Sequence, residues 1–386
     1  MPMYVNIAIL KETLPGERRV ALTPSVVPKL TKLGGRLHMQ TGAGLAIRLP
    51  DSAFPGVAFL DDRADLLRDA DVVLAVQPPP VAVVEAMKPG SILISFIYEA
   101  NQPELVKRLL AGKITCFAME RVPRISRAQA MDALTSQSAL AGYYAVALGM
   151  THMGGVLPKI TSAAGVVGPA KVLVMGLGVA GLEAIATAQR LGAVVEGYDI
   201  RPATKEQALS LGATFVDTGV DATGKGGYAR ALTSEEQVKV DAALTQHIQH
   251  CDLIITTAAI PGKASPKMIS KAQVAGMKTG AVIVDLSADG GGNCEDTQPG
   301  KTIDVGEVTI VAPLNVPSLL GRDASELYTK NQYALLALML KDNIITIDWT
   351  DEVLAKTALT HDGQLCDGAK PGGPKPAPTP STAEAA

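Results

Sequence analysis

The chain has 386 residues, 47% hydrophobic and 19% charged, with a net charge of −3. That is enough for two or three domains with ordinary cores, and it leaves no dominant basic face for nucleic acid. Aromatic residues are 4% of the chain and tryptophan occurs once, as Trp349, which argues against stacking platforms for single strands.

From the N-terminus, Met1-Pro2-Met3 runs straight into an apolar strand over 5–10. No signal peptide is expected there, and a cytoplasmic setting fits. Thr23-Pro24 reads as a helix start, followed by Val26, Val27, Leu30 and Leu33 at helical spacing. Strands are predicted over 36–40, 72–76, 92–96 and 114–118, with a helix over 103–110. This half resembles a nucleotide-type α/β fold without a phosphate fingerprint. A long apolar-periodic segment over 136–150 reads as a helix bridging two domains. Further strands are predicted over 253–257 and 282–286, and a helix over 324–340. Residues 344–349 and the His361-Asp362-Gly363 turn read together as a small closing hairpin. From Asp367 the chain is rich in Pro, Ala and Ser and reads as a disordered tail.

The densest chemistry lies at KVLVMGLGVAGLEAIATAQRLGAVVEGYD, from Lys171 to Asp199. A buried parallel strand leads into Gly176, Gly178 and Gly181, a GxGxxG at a strand-to-helix turn. The first glycine makes the turn, the second admits a pyrophosphate to the backbone, and the third lets the helix pack close to the sheet. The helix N-terminus adds a positive dipole end for the phosphates. Asp199 ends the next strand, eighteen positions after Gly181, near the ~20 expected of the acid that binds an adenosine ribose diol. A carboxylate there favours NAD over NADP. Arg201, two residues on, is the kind of residue that can receive a 2′-phosphate.

Other groups stay open on residues alone. The four cysteines, Cys116, Cys251, Cys294 and Cys366, are far apart with no CxxC, so neither a zinc ribbon nor a disulfide framework is expected. His247 and His250 read as a solvated helix face, and no metal site is expected. No stretch reaches the ~18–20 apolar residues of a spanning helix. The segment RISRAQAMD, from Arg124 to Asp132, continues into Thr135, Ser136 and Gln137. It reads either as a capped helix start, with Ser126 or Asp132 as cap, or as a polar loop that closes over a nicotinamide.

Taken together, RISRAQAMD, SQSALAGY, GLGVAG, YDIRPATKEQ, KGGYAR, TTAAIPGK, VDLSADGGGNC and LNVPS closely resemble the NAD(H)-binding subunit of proton-translocating NAD(P) transhydrogenase, in its split bacterial form. The resemblance covers nearly everything from Ile7 to about Cys366. It implies two Rossmann-like, doubly wound parallel-sheet domains with an NAD cleft between them. The first would be 1–135 plus 316–366, and the second 136–315, ahead of the 367–386 tail. It implies that Arg124, Gln129 and Asp132 approach the nicotinamide and the incoming partner, and that Tyr228 on a glycine-rich mobile loop (Gly224, Gly226, Gly227) senses bound nucleotide. Val179, Ala180, Ile200, Arg201, Thr135, Ser136, Thr257, Ala258 and Asn315 complete the expected cofactor contacts. It further implies NADP(H) on a partner component, membrane-spanning subunits that carry the proton path, a location peripheral to the inner membrane through those subunits, and a homodimer.

The rival reading is an alanine dehydrogenase-like enzyme, which shares the architecture. Its substrate arginine and aspartate correspond to Arg19 and Asp289. Its lysine and histidine positions hold Gln77 and Tyr98 instead, which removes the proton-transfer groups of oxidative deamination. Hydride transfer between two nicotinamides needs positioning and needs neither residue.

Overall fold

The structure, a computed structural model, describes residues 4–222, 230, 232–260 and 264–367. Tyr228 and Gly224, Gly226 and Gly227 lie outside the described residues, as does the tail beyond 367. The chain divides into a first unit, Met1–Gln137 with Gly321–Ala386, and a second, Ser138–Leu320.

The first unit is built on eight strands. Their order is Gln364–Leu365, Ala358–His361, Thr115–Ala118, Ile92–Ser95, Val72–Leu74, Val5–Ile9, Gly35–Gln40 and Ala58–Leu60. The last six are parallel. Numbered along the chain, they run 3-2-1-4-5-6, so the order reverses between Val5–Ile9 and Val72–Leu74, the crevice where doubly wound sheets bind ligands. Successive side chains of a strand face opposite ways. Ile7 and Ile9 accordingly join one apolar layer with Leu74 and Ile94, while Ala8 and Leu10 join another with Val73 and Leu93. Burial on both faces is why these segments read as continuous apolar runs.

Two local expectations are corrected here. The first helix is Val27–Lys32, with Pro28 in its first turn and no side-chain cap. Thr23 closes a turn instead, its carbonyl accepting from the Val26 N–H at 3.0 Å, and Pro28 fills a first-turn position that needs no N–H. The C-terminal segment forms two hairpins rather than one. Ile344–Ile345 pairs with Leu340–Lys341. Ala358–His361 turns through Asp362-Gly363 onto Gln364–Leu365 and pairs antiparallel with Thr115–Ala118. The second is tied to that sheet edge by Thr360, whose Oγ1 donates to the Ile114 carbonyl at 2.8 Å.

The second unit repeats the winding. The seven strands of its main sheet lie in the order Thr214–Phe215, Val194–Tyr198, Lys171–Met175, Leu253–Thr256, Val282–Asp285, Val308–Val311 and Thr302–Val305. The first six are parallel, again 3-2-1-4-5-6, and the last is antiparallel. The crevice here falls between Lys171–Met175 and Leu253–Thr256.

The helix Ala133–His152 enters this unit and packs on it through two glycines seven apart. A methyl group on Gly142 would stand 2.0 Å from the Ala180 carbonyl oxygen, and one on Gly149 would stand 2.5 Å from the Leu253 side chain. Seven residues are two helical turns, so both lie on one face. Among the described residues, no helix is long and apolar enough to cross a membrane and no acid, histidine and cysteine cluster suits a metal ion.

Candidate functional site

The second crevice is shaped by three glycines with different requirements. Gly176 has φ of +94°, and a methyl group there would stand 2.9 Å from both the Ala258 nitrogen and Thr257 Oγ1. A methyl on Gly181 would stand 1.9 Å from the Gly176 carbonyl oxygen. Gly178 is different. Its φ is −83° and no atom lies within 4 Å of where a Cβ would be. Nothing in the protein's own packing requires a glycine there. The helix Val179–Arg190 starts beside that open space with no side-chain cap, so its first N–H groups face a cradle suited to an anion. A dinucleotide's pyrophosphate fits such a cradle.

Asp199 stands next to the same turn and is only 8% exposed. Its Oδ2 accepts from the Leu177 N–H at 2.7 Å and from Arg201 Nη2 at 2.7 Å. Its Oδ1 accepts from the Arg201 N–H at 2.9 Å and Nε at 2.8 Å. The Leu177 bond ties the acid to the middle of the fingerprint. Ile200, half-buried, accepts from the Ala222 N–H at 3.0 Å.

The opposite wall of the crevice joins the expected Thr257 and Ala258 to Asp285 and Asn293, two residues to which the sequence reading gave no role. Thr257 Oγ1 donates to the Gly176 carbonyl at 2.7 Å. Ala258 is held on both sides by Asn293, whose Oδ1 accepts from its N–H at 3.0 Å and whose Nδ2 donates to its carbonyl at 2.8 Å. Asn293 is fully buried, and Asp285 holds it by accepting from its N–H at 2.7 Å. Asp285 also accepts from the N–H groups of Ser287 and Cys294 and from Thr297 Oγ1. The available signal was an acid closing the apolar 282–284 run, with three glycines and Asn293 after it. Asn315, in the left-handed conformation at φ 48°, offers its N–H to Asp289. Burial raises the Asp289 carboxyl above its ordinary pKa, and that hydrogen bond partly offsets the rise.

Arg124, Gln129, Asp132, Thr135 and Ser136 belong to the first unit. A 3-10 helix, Ser126–Met131, leads to Asp132, which caps the long helix. Its carboxylate accepts from the Thr135 N–H at 2.9 Å and Oγ1 at 2.6 Å. Ser126 makes no cap. Ser136 Oγ donates to Asn331 Oδ1 at 2.8 Å, and Arg127 forms a two-pronged pair with Asp351 at 2.6 and 2.8 Å. Arg124 and Gln129 are exposed. Asp132, Thr135 and Ser136 thus gather at one helix start, while the glycines, Asp199, Arg201, Thr257 and Ala258 gather at the second crevice.

The loop after the first strand of the first unit holds no GxGxxG. Glu12, just after the first strand, accepts from the Val76 N–H at 2.6 Å and the Gln77 N–H at 3.3 Å. Burial pushes its pKa up to about 7, against the pull of the Val76 hydrogen bond. Arg19 lays its fork on Glu17 through Nε at 2.9 Å and Nη2 at 2.7 Å, and its Nη1 donates to Gln137 at 2.9 Å. Gln77 donates to the same Glu17 at 2.8 Å. Tyr98, left-handed at φ 51°, stacks on Phe96 with ring centroids 5.4 Å apart.

Comparison with known proteins adds ancestry to this geometry. The family profile described as Alanine dehydrogenase/PNT, N-terminal domain matches residues 8–141, and its C-terminal domain counterpart matches 145–368. The first piece of the split NAD(P) transhydrogenase subunit alpha of Rhodospirillum rubrum is 42% identical over 374 residues, covering 94% of this chain and 97% of that protein. The crystal structure of transhydrogenase from Sinorhizobium meliloti superposes with a TM-score of 0.82 at 39% identity, covering 93% of this chain and 98% of that one. An L-alanine dehydrogenase structure gives 0.76 at 26% identity, covering 94% and 96%.

Proposed function

This chain belongs to the alanine dehydrogenase/PNT family, and we propose that it serves as the NAD(H)-binding component of an NAD(P) transhydrogenase. In this reading it passes hydride from NADH to NADP⁺ held by a partner component. The observation that carries the cofactor assignment is Gly178, a glycine that the protein's own packing does not require, facing open space at an uncapped helix start. Gly176, Gly178, Val179, Ala180 and Gly181 would receive the pyrophosphate and Asp199 the adenosine ribose. Thr257 and Ala258, fixed by Asn293, would line the nicotinamide side.

Bound NADH supplies the hydride. The protein's part is to position and exclude water, since displacement of reacting atoms by about 1 Å can cost ~100-fold in rate. Arg124, Gln129 and Asp132 would order the ring and meet the partner. Thr135, Ser136 and Asn315 would add contacts to the cofactor, and Tyr228 would close over the nucleotide. The capping role of Asp132 gives that loop a fixed root. Proton translocation would belong to membrane-spanning partner subunits, with this chain peripheral to the inner membrane through them. A homodimer is supported by the hairpin Ile160–Ser162 and Gly165–Val167, every strand residue of which is exposed, including Ile160, Val166 and Val167. A two-stranded hairpin is marginal alone, and a second copy would cover it.

The dehydrogenase reading has Asp289 in its favour and the first crevice against it. The fork of Arg19 is engaged by Glu17, and Gln77 and Tyr98 supply no acid–base pair. The deciding experiment titrates the protein with NADH and NADPH, then assays hydride transfer with an NADP-binding transhydrogenase component. NADH-selective binding and transfer are expected, with no turnover of NAD⁺ by alanine. Steady alanine-dependent reduction of NAD⁺ would sink the proposal. Gln129→Asn should keep NADH affinity and lose transfer.

A further inference from the structure

Asp199 poses a question that the nucleotide reading leaves open. Its two oxygens already receive four donors, two on each. A carboxylate offers about four lone-pair sites, and this one is almost wholly shielded from solvent, its side chain 6% exposed. A ribose diol would arrive with two hydroxyl donors and find both oxygens engaged. Two of the four donors are backbone N–H groups, of Leu177 and Arg201, fixed by the fingerprint turn and the strand end. The other two belong to the Arg201 guanidinium, on a long side chain that is 22% exposed.

We infer that Arg201 is a specificity-determining residue that competes with the nucleotide for Asp199. Its guanidinium occupies the diol acceptors in the free protein and leaves when NADH binds. This inference rests on the nucleotide reading and deepens it. The paired state keeps a buried carboxylate satisfied while no ligand is present, which matters because an unpaired buried charge is costly. The same exchange bears on NADP(H). A 2′-phosphate brings negative charge towards Asp199, and Arg201 is the cation beside it. Asp199 and Arg201 therefore pull in opposite directions. The acid favours the diol, and the arginine both blocks the diol and softens the rejection of the phosphate.

The test is fluorescence titration of the full chain with NADH and with NADPH. It compares the unaltered protein with Arg201→Gln, Arg201→Lys and a control, Arg190→Gln, whose side chain pairs with Glu183 on the same unit. Arg201→Gln should bind NADH roughly three- to tenfold more tightly, the size expected when a charge-assisted pair no longer has to be broken. It should bind NADPH no more tightly, so the preference widens. Arg201→Lys keeps the charge but loses the two-pronged grip, so it should fall between, and it decides the matter if Arg201→Gln fails to fold. Arg190→Gln should match the unaltered protein. Weaker or unchanged NADH binding by a folded Arg201 variant would overturn the inference while leaving the nucleotide reading intact. No NADH binding by the unaltered chain would overturn that reading itself.

Discussion

The two units wind their sheets in the same order, yet their crevices are built in opposite ways. In the second, the end of the first strand turns through Gly176 and leaves open space at Gly178. In the first, the corresponding place is filled by Glu12, which takes the Val76 and Gln77 N–H groups at the end of the fourth strand. One crevice leaves its helix start without a side-chain cap, and the other satisfies its donors with a carboxylate of its own. Strand order creates the crevice. The residues at the strand ends decide whether its donors are satisfied from within.

The largest expected effect comes from closing the second crevice from within. Gly181→Ala sets a methyl group 1.9 Å from a backbone oxygen that has no room to yield. It should cost about 3 kcal/mol or more, read as a lower melting temperature with loss of NADH binding. A folded, fully stable Gly181→Ala protein would show that the turn is looser than its geometry.

Glu12 sharpens the comparison through pH. Its folded pKa is raised from 4.5 to about 7, so the folded state prefers the neutral form. Its contribution to stability is complete below 4.5 and is lost as pH rises through about 7, a change on the order of 3 kcal/mol. Glu12→Gln should remove most of the stability slope between pH 5 and 8, measured by denaturant melts. An unchanged slope would mean that other groups carry it.

Gly178→Ala should separate binding from folding. With open space around the new methyl group, stability should change by less than ~1 kcal/mol, while NADH affinity should fall about tenfold or more as the phosphates lose their approach. Equal losses in both would return Gly178 to a packing role. The smallest effect is expected at Gly16 in the first unit, which has φ of +79° and no atom near its missing Cβ. Gly16→Ala should cost roughly 1 kcal/mol of backbone strain and leave NADH affinity alone.

Much of the fold was legible because buried parallel strands are continuous apolar runs, and 172–175, 253–256 and 282–284 announce themselves. The strand–turn–helix at Gly176 to Gly181 was legible for the same reason, with glycine spacing added. Short helices such as Arg63–Arg68 and Val81–Ala86 were missed, since six residues carry little periodicity. The start of the first helix went wrong because Thr23-Pro24 and Val26-Pro28 offer similar local signals, and only the turn hydrogen bond chose between them.

What the sequence determined by itself was therefore everything carried by near neighbours: strand identity, the glycine turn, and an acid at the end of the next strand. Tertiary structure alone decided which crevice satisfies its own donors, since the contact from Glu12 to Val76 spans 64 residues. It also decided that Asn293 clamps Ala258 and that Gly142 must be bare against Ala180. These depend on atoms meeting at close range from distant parts of the chain. Local propensity does not encode such meetings, because they exist only once both sheets have formed.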